Sequence, residues 1–341
     1  MITATVLIVI VVVLALTFDF TNGFHDSANI VATVITSRAL PPELALLLAA
    51  IAEFIGAYFL GTAVAQTIGK GIVDPTMMSA GRIGAIIIIA ALTGAIIWNL
   101  FTWYFGIPSS SSHALIGGLI GAFFVGWGPK PINLPKVGQI IGIMFISPII
   151  GFLITYFFTR LTLVFSRWAS PRANVVFKRL QIISSLTQAL SHGTNDAQKT
   201  MGVITFALII LGFYTPPGPS LTVPHWVIVS CALAIALGMG LGAWRIIKTL
   251  GAKLYKIRPI HGFASQTAST LIIYLTAVFG FPISTTQVIS SSVMGAGAAF
   301  RPKMVRWQVA EDMLVAWLIT IPASGLISGV VFFVLKKIFG G

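Results

Sequence analysis

Charge is what this chain lacks. Of its 341 residues only 9% are charged, and just 8 are acidic. A soluble domain keeps roughly a quarter of its residues charged. Scarcity on this scale excludes a water-exposed globule. With 57% hydrophobic residues and a mean hydropathy of +0.97, the chain reads as an all-α polytopic membrane protein. Cysteine is nearly absent too. Cys231 stands alone in an apolar run, which excludes an intrachain disulfide and a cysteine metal site. The apolar stretch 1–18 has no basic n-region and runs straight into a polar motif, so it reads as mature protein and not as a signal peptide. Few acids leave 21 Lys and Arg and a net charge of +13. Those cations sit in loops between apolar runs, where they control topology, and no nucleic-acid partner is needed to account for them.

Uninterrupted apolar segments lie at about 44–64, 138–164, 225–244 and 309–335. Each can span a bilayer, which takes ~20 residues. Four other segments look broken: 1–36 at Thr21–His25, 180–213 at Ser191–Asn195, 82–128 at Gly106–Ser112, and 263–300 at Gly280–Thr286. Gly, Pro and small hydroxyl residues free backbone groups there. At membrane depth such backbone must be buried in protein or line a cavity.

The breaks come in pairs. Gly23-Phe24-His25-Asp26-Ser27-Ala28-Asn29 is echoed 170 residues later by Gly193-Thr194-Asn195-Asp196-Ala197-Gln198-Lys199. Gly106-Ile107-Pro108-Ser109-Ser110-Ser111-Ser112-His113 is echoed 174 residues later by Gly280-Phe281-Pro282-Ile283-Ser284-Thr285-Thr286-Gln287. The chain therefore divides into a first repeat (1–164), a basic linker (165–179) and a second repeat (180–341). One pass per motif segment and a hairpin at each Ser/Thr cluster give an odd number of crossings per half. The second repeat is then inverted relative to the first, with discontinuous or re-entrant segments meeting near mid-membrane. Three stretches are rich in cations and should be cytoplasmic: Arg160–Arg179, Arg245–Arg258 and Arg301–Arg306. The first half's loops are poorer, with Lys70, Asp74 and Arg82 in one and Lys130 and Lys136 in the other; both fall outside. Both termini are expected on the extracytoplasmic face of the plasma (inner) membrane, although Lys336 and Lys337 run against the charge rule.

Ionisable groups deep in apolar segments are Asp19, Asp26, Glu53, Asp196 and Lys199, whereas Glu311 and Asp312 fall near a segment end. Intramembrane charge is costly and usually functional. Asp26 and Asp196 recur at matching positions, which favours function over helix fastening. Asp19 and Glu53 have no counterpart and read equally well either way. Pro108 and Pro282 suit helix starts and the following hydroxyls suit N-caps. Two helix N-termini would then point into mid-membrane and form an anion site, with Ser110, Ser111, Ser284, Thr285 and Thr286 as donors. Lys199 replaces the first repeat's Asn29; it either pairs permanently with Asp196 or meets a transported anion.

At these residues the chain resembles the inorganic phosphate transporter (PiT) family. Both Gly-x-x-Asp signatures and both Pro-x-Ser-Ser/Thr clusters match, in order, except that His25 stands where the family has Asn. The resemblance implies secondary active phosphate uptake by alternating access, coupled to sodium or protons. It implies that Asp26 and Asp196, with His25, Asn29 and Asn195, serve the cation. Asn29, Asn195, Lys199, Thr200 and the hydroxyl clusters would serve the phosphate. Sodium is the only metal expected, and no organic cofactor. Two sodium ions would offset the aspartates, and Lys199 a monoanionic phosphate, leaving a neutral loaded site. Proton coupling through the aspartates or His25 and a sulfate permease of the same fold are the alternatives. Sulfate has no O–H to donate, so a carboxylate facing the anion would reject it. A hydrolase built on Ser112 and His113 is disfavoured, because neighbours on a helix diverge by roughly 100°. A passive anion channel has no use for buried carboxylates. Expected partners are phosphate, the coupling cation, the lipid bilayer and, as an option left open, a second copy in a homodimer. Single-cysteine labelling in a Cys231-free background tests the topology: the 65–82 loop should react only from outside and the 245–258 loop only from the cytoplasm.

Overall fold

The computed structural model describes residues 3–72, 81–170, 172–218 and 221–339; Asp74 and the side chain of Lys70, counted in the charge balance above, lie outside the described part. Twelve α-helices follow one another. In the first half they are α1 (Ala4–Thr36), α2 (Pro42–Phe59), the short α3 (Ala63–Gly71), α4 (Arg82–Phe105), α5 (Ser111–Trp127) and α6 (Leu134–Phe165). The second half runs α7 (Ala173–Ile210), α8 (His225–Leu241), the short α9 (Trp244–Lys248), α10 (Pro259–Val278), α11 (Thr285–Phe300) and α12 (Trp307–Phe339). Long helix, long helix, short helix, hairpin, long helix: the order is the same twice. Lys178 and Arg179 belong to α7, which starts inside the basic linker.

Two of the four expected breaks are not breaks. α1 and α7 run as continuous helices through Thr21–His25 and Ser191–Asn195. Their glycines serve contact instead. A Cβ on Gly23 would strike the Ile235 carbonyl in α8, and one on Gly193 the Glu53 carbonyl in α2. The contacts are returned: Gly238 lies on the Phe20 carbonyl and Gly56 on the Leu190 carbonyl. Small residues let membrane helices approach this closely.

The other two breaks are real. α4 ends at Gly106 (φ 68°) and α10 at Gly280 (φ 72°), both in the left-handed region that closes helices. The chain then doubles back. Gly84 faces Trp127 and Gly118 faces Ala91, so α4 and α5 form an antiparallel hairpin. Ser110 caps α5 by accepting the His113 amide (3.1 Å), and Ser284 caps α11 by accepting the Gln287 amide (3.3 Å). Pro108 and Pro282 do not start these helices; each lies two residues before its cap and keeps the connector extended.

The halves are interleaved. α11 packs on α6 and α12 on α5; α1 packs on α8 and α2 on α7. α1 and α7 cross antiparallel: Asp19 meets Thr200, Asn22 meets Asp196, Asp26 meets His192 and Ser37 meets Gln181. One apolar cluster joins the N-terminal half of α1 to α4, α5 and the C-terminal half of α7. A second joins the C-terminal half of α1 to α2, α10 and α11. A buried polar band separates them, and exposed Phe157, Leu326 and Phe333 are among the side chains of a lipid-facing exterior. At one end, Arg38, Asn174, Arg258 and Arg306 line a common cleft, so three of the basic stretches share that end.

Gly193→Val should prevent α7 from seating on α2, costing at least the ~1–3 kcal/mol of ordinary overpacking. Gly142→Ala, which meets nothing within 4 Å, should be neutral. Thermal unfolding of the two purified variants checks the contrast.

Candidate binding site at the hairpin tips

The middle of α1, the middle of α7 and the N-termini of α5 and α11 converge on two carboxylates with no solvent exposure, Asp26 and Asp196. Asp26 is met by His25 Nδ1 (3.0 Å), His192 Nε2 (3.3 Å), Ser111 Oγ (3.4 Å), Thr285 Oγ1 (3.3 Å) and Thr286 Oγ1 (3.0 Å). Asp196 is met by Asn22 Nδ2 (3.2 Å), Thr285 Oγ1 (3.2 Å) and Lys199 Nζ (2.7 Å). The Thr285 hydroxyl thus faces both carboxylates and has one proton to give.

Half of these eight contacts form repeat-mated pairs, because the residues are repeat mates. Asn22 donating to Asp196 is matched by His192 on Asp26. Thr285 on Asp196 is matched by Ser111 on Asp26. Lys199 donating to Ser112 Oγ (2.5 Å) is matched by Asn29 donating to Thr286 Oγ1 (3.0 Å). The second repeat carries the ionisable version at two of these places, His192 for Asn22 and Lys199 for Asn29. Glu53 breaks the symmetry in the first repeat; its mate by packing is Ile235.

Of the residues expected from sequence, Asp26, Asp196, His25, Asn29, Lys199, Ser111, Thr285 and Thr286 lie together around the carboxylates. Three are turned elsewhere. Asn195 donates to the Phe281 carbonyl at the α10–α11 connector (3.3 Å), Thr200 donates to Asp19 Oδ1 (2.9 Å), and Ser110 meets His113 Nδ1 (2.7 Å) besides capping α5. Ser284 is occupied in capping α11. All three protons of Lys199 have protein acceptors: Asp196, Ser112 and the Ile283 carbonyl (2.9 Å). It can reach an anion only by exchanging one of them.

Sequence reasoning missed His192, Asn22 and Ser112 and left Glu53 and Asp19 undecided. His192 bridges Glu53 (Nδ1–Oε1, 2.6 Å) and Asp26, and its Nε2 is 3.6 Å from Asp196. Both Asn22 and His192 lie four residues before an aspartate, on the same helical face. Treating these stretches as helix breaks concealed that register. The count of one lysine against two aspartates also changes, because Asp19 and Glu53 join the cluster.

Five buried oxygens here have no hydrogen-bond donor: Asp19 Oδ2, Asn22 Oδ1, Asn29 Oδ1, Glu53 Oε2 and Asn195 Oδ1. An unmet buried acceptor costs ~1–3 kcal/mol. All five are hard oxygens, the donors sodium takes. Ligand atoms of Asp26, His192 and Asp196 lie within 4.8 Å of one another. The site can therefore hold oxygen-seeking cations beside two helix N-termini and their hydroxyls. It does not make a hydrolytic pair: Ser112 accepts from Lys199, while His113 pairs with Ser110.

Known proteins resemble this chain over nearly its whole length. Residues 22–328 match the model of the phosphate transporter family. A Bacillus subtilis protein named "Probable low-affinity inorganic phosphate transporter" is 44% identical over 98% of both chains. A Rhizobium meliloti protein of the same name is 42% identical over 96% of both. A solved structure titled "The sodium-dependent phosphate transporter" superposes with a TM-score of 0.86 at 25% identity, covering 98% of this chain and 100% of its own. A polytopic helical membrane protein whose residues 22–328 match the family model, and which these relatives match over nearly its whole length, belongs to the phosphate transporter family.

Proposed function

We propose that this phosphate transporter works as a sodium symporter, importing inorganic phosphate across the plasma membrane. The observation that carries the reading is the Asp26–Asp196 pair with its shared Thr285 hydroxyl and its fringe of unpartnered oxygens. Asp26 and Asp196, with the Asn22, Asn29 and Asn195 oxygens, take the sodium ions. Phosphate sits between the N-termini of α5 and α11. Coupling follows from a shortage of donors. Without sodium, the hydroxyls of Ser111, Thr285 and Thr286 are committed to the carboxylates, and the cluster repels an anion. Sodium takes over the carboxylates, and the hydroxyls and Lys199 become free to turn to phosphate. Each ligand thereby removes an obstacle to the other. The solved relative's title supports sodium as the partner.

Alternating access is carried by the two repeats, inverted relative to one another, as the antiparallel α1 and α7 suggest. The basic end faces the cytoplasm in this arrangement. A second reading is favoured by one observation. His192 sits between Glu53 and Asp26 and could pass a proton between them, so protons could replace one or both sodium ions.

Phosphate uptake into proteoliposomes, with sodium and pH gradients imposed separately, decides between the two; uptake should follow sodium and persist at equal pH. Asp196→Asn should abolish sodium-driven uptake with the protein still folded, checked by uptake against monodispersity. Thr285→Val keeps the shape and removes the shared hydroxyl. Phosphate affinity should fall roughly ten- to a hundredfold, the worth of one ~1.5–3 kcal/mol bond to a charged group, as read by equilibrium binding at saturating sodium.

A further inference from the structure

A cleft of ≈ 1150 Å³ opens beside the C-terminal end of α1, lined among others by Ser37, Arg38, Lys256, Arg258 and Arg306. No carboxylate lines it among the described residues. Among the described residues, every ion pair lies in the central cluster, so these four cations have no acidic partner. Arg258 is seated against Phe300, its guanidinium 5.3 Å from the ring centre.

From this cleft a buried polar seam leads inward between α1, α7 and α10. Ser37 donates to Gln181 (2.6 Å), Gln266 pairs with Ser184 (3.0 Å) and Thr33 (2.9 Å), and Gln188 donates to Ser269 (2.6 Å). Gln188 lies one turn from His192, and Thr33 one turn from Asn29, so the seam ends at the central site. Gln181 Nε2 and Gln188 Oε1 are buried without partners.

The duplication supplies a control. At the offsets of 170 and 174 residues, the mates of Gln181, Ser184, Gln188, Gln266 and Ser269 are Val11, Leu14, Phe18, Leu92 and Ala95; Thr33 and Ser37 correspond to Val203 and Ala207. All of these are apolar and pack in or against the first core cluster. The same helix arrangement therefore closes with apolar side chains on one side of the site. Amides and hydroxyls are not needed to hold these helices together, and two of the amides have atoms that bond to nothing.

We propose that the seam is the route by which phosphate leaves the central site, and that the four-cation cleft is a second, weaker oxyanion site at its mouth. This inference rests on the chain moving phosphate. A tetrahedral oxyanion passing from a cluster of carboxylates to a cleft of unpaired cations moves down its electrostatic gradient. The cations are exposed, and attraction between exposed charges is screened over ~8 Å at physiological salt. The mouth therefore concentrates phosphate without trapping it. An anionic lipid headgroup offers the same chemistry, and the test separates the two sources.

The full chain is placed in phosphatidylcholine nanodiscs, and equilibrium binding of radiolabelled inorganic phosphate is measured with and without sodium. The cleft should give a sodium-independent, salt-sensitive component. Arg258→Gln with Arg306→Gln should weaken it at least tenfold and leave the sodium-dependent component intact, which also shows that the variant folds. Arg38→Gln with Lys256→Gln is the second pair and should act alike. Sodium-independent binding that is absent, or unchanged in both pairs, overturns the proposal. So does retention of phosphatidylglycerol by the purified wild type, lost in the variants, with no phosphate component: the cleft would then be a headgroup site. If sodium coupling itself is wrong, the sodium-dependent component disappears from the wild type while the cleft component stays. Gln188→Leu with Gln266→Leu, which installs apolar residues like those of the first repeat, should slow phosphate efflux from preloaded proteoliposomes at least fivefold; unchanged efflux removes the seam from the route.

Discussion

Two carboxylates buried side by side within the membrane are the constraint from which the architecture follows. Water cannot solvate Asp26 and Asp196 there, so protein groups must, and each helix reaching the site contributes some. Asn22 and His192, each one turn from its own helix's aspartate, reach across to the aspartate of the other helix. The hairpins bring hydroxyls at the only helix positions where backbone amides are also unpaired. The glycine contacts with α2 and α8 keep α1 and α7 close enough to share the load. Had the hairpins run on as straight spans, the polar band would lose the hydroxyls of Ser111, Thr285 and Thr286 from its centre. The left-handed Gly106 and Gly280 are therefore as much a part of the site as the aspartates.

Duplication makes such a site easy to assemble and awkward to use, because a symmetric site gives a cation and an anion the same surroundings. The differences between repeats break that symmetry. Lys199 in place of Asn29 puts a fixed positive charge on one side only. His192 in place of Asn22, with Glu53 in place of an aliphatic residue, puts a titratable chain on the other. Symmetry supplies the scaffold and four substitutions, counting Asp19, supply the polarity.

Much of this could be read from the sequence because membranes narrow the choices. The lack of charge identified the class. The paired motifs identified the repeat, the hairpin turns and the serine caps, since Gly-x-Pro followed by hydroxyls has few other uses. The Gly23 and Gly193 motifs misled for a physical reason. Glycine flanked by Thr and Asn looks the same whether it opens a helix or admits a neighbouring backbone, and only the partner helix decides. Once those segments are helices, His192 and Asn22 follow from four-residue spacing. Glu53 does not, because nothing local says which helix it faces. Ser110 and Ser284 do not serve as both cap and anion donor: a hydroxyl that caps a helix is largely spent, and Ser110 also meets His113 Nδ1.

Interleaving has a consequence for how the chain is made. α5 and α6 find their main partners in α12 and α11, which emerge from the ribosome last. Until then the first half sits in the bilayer with its hairpin lacking α12 and Asp26 deprived of Thr285 and Thr286. The final helix closes the first hairpin, and a chain truncated before α11 keeps most of the first apolar cluster but loses α11 from the second, together with the hydroxyls of Thr285 and Thr286.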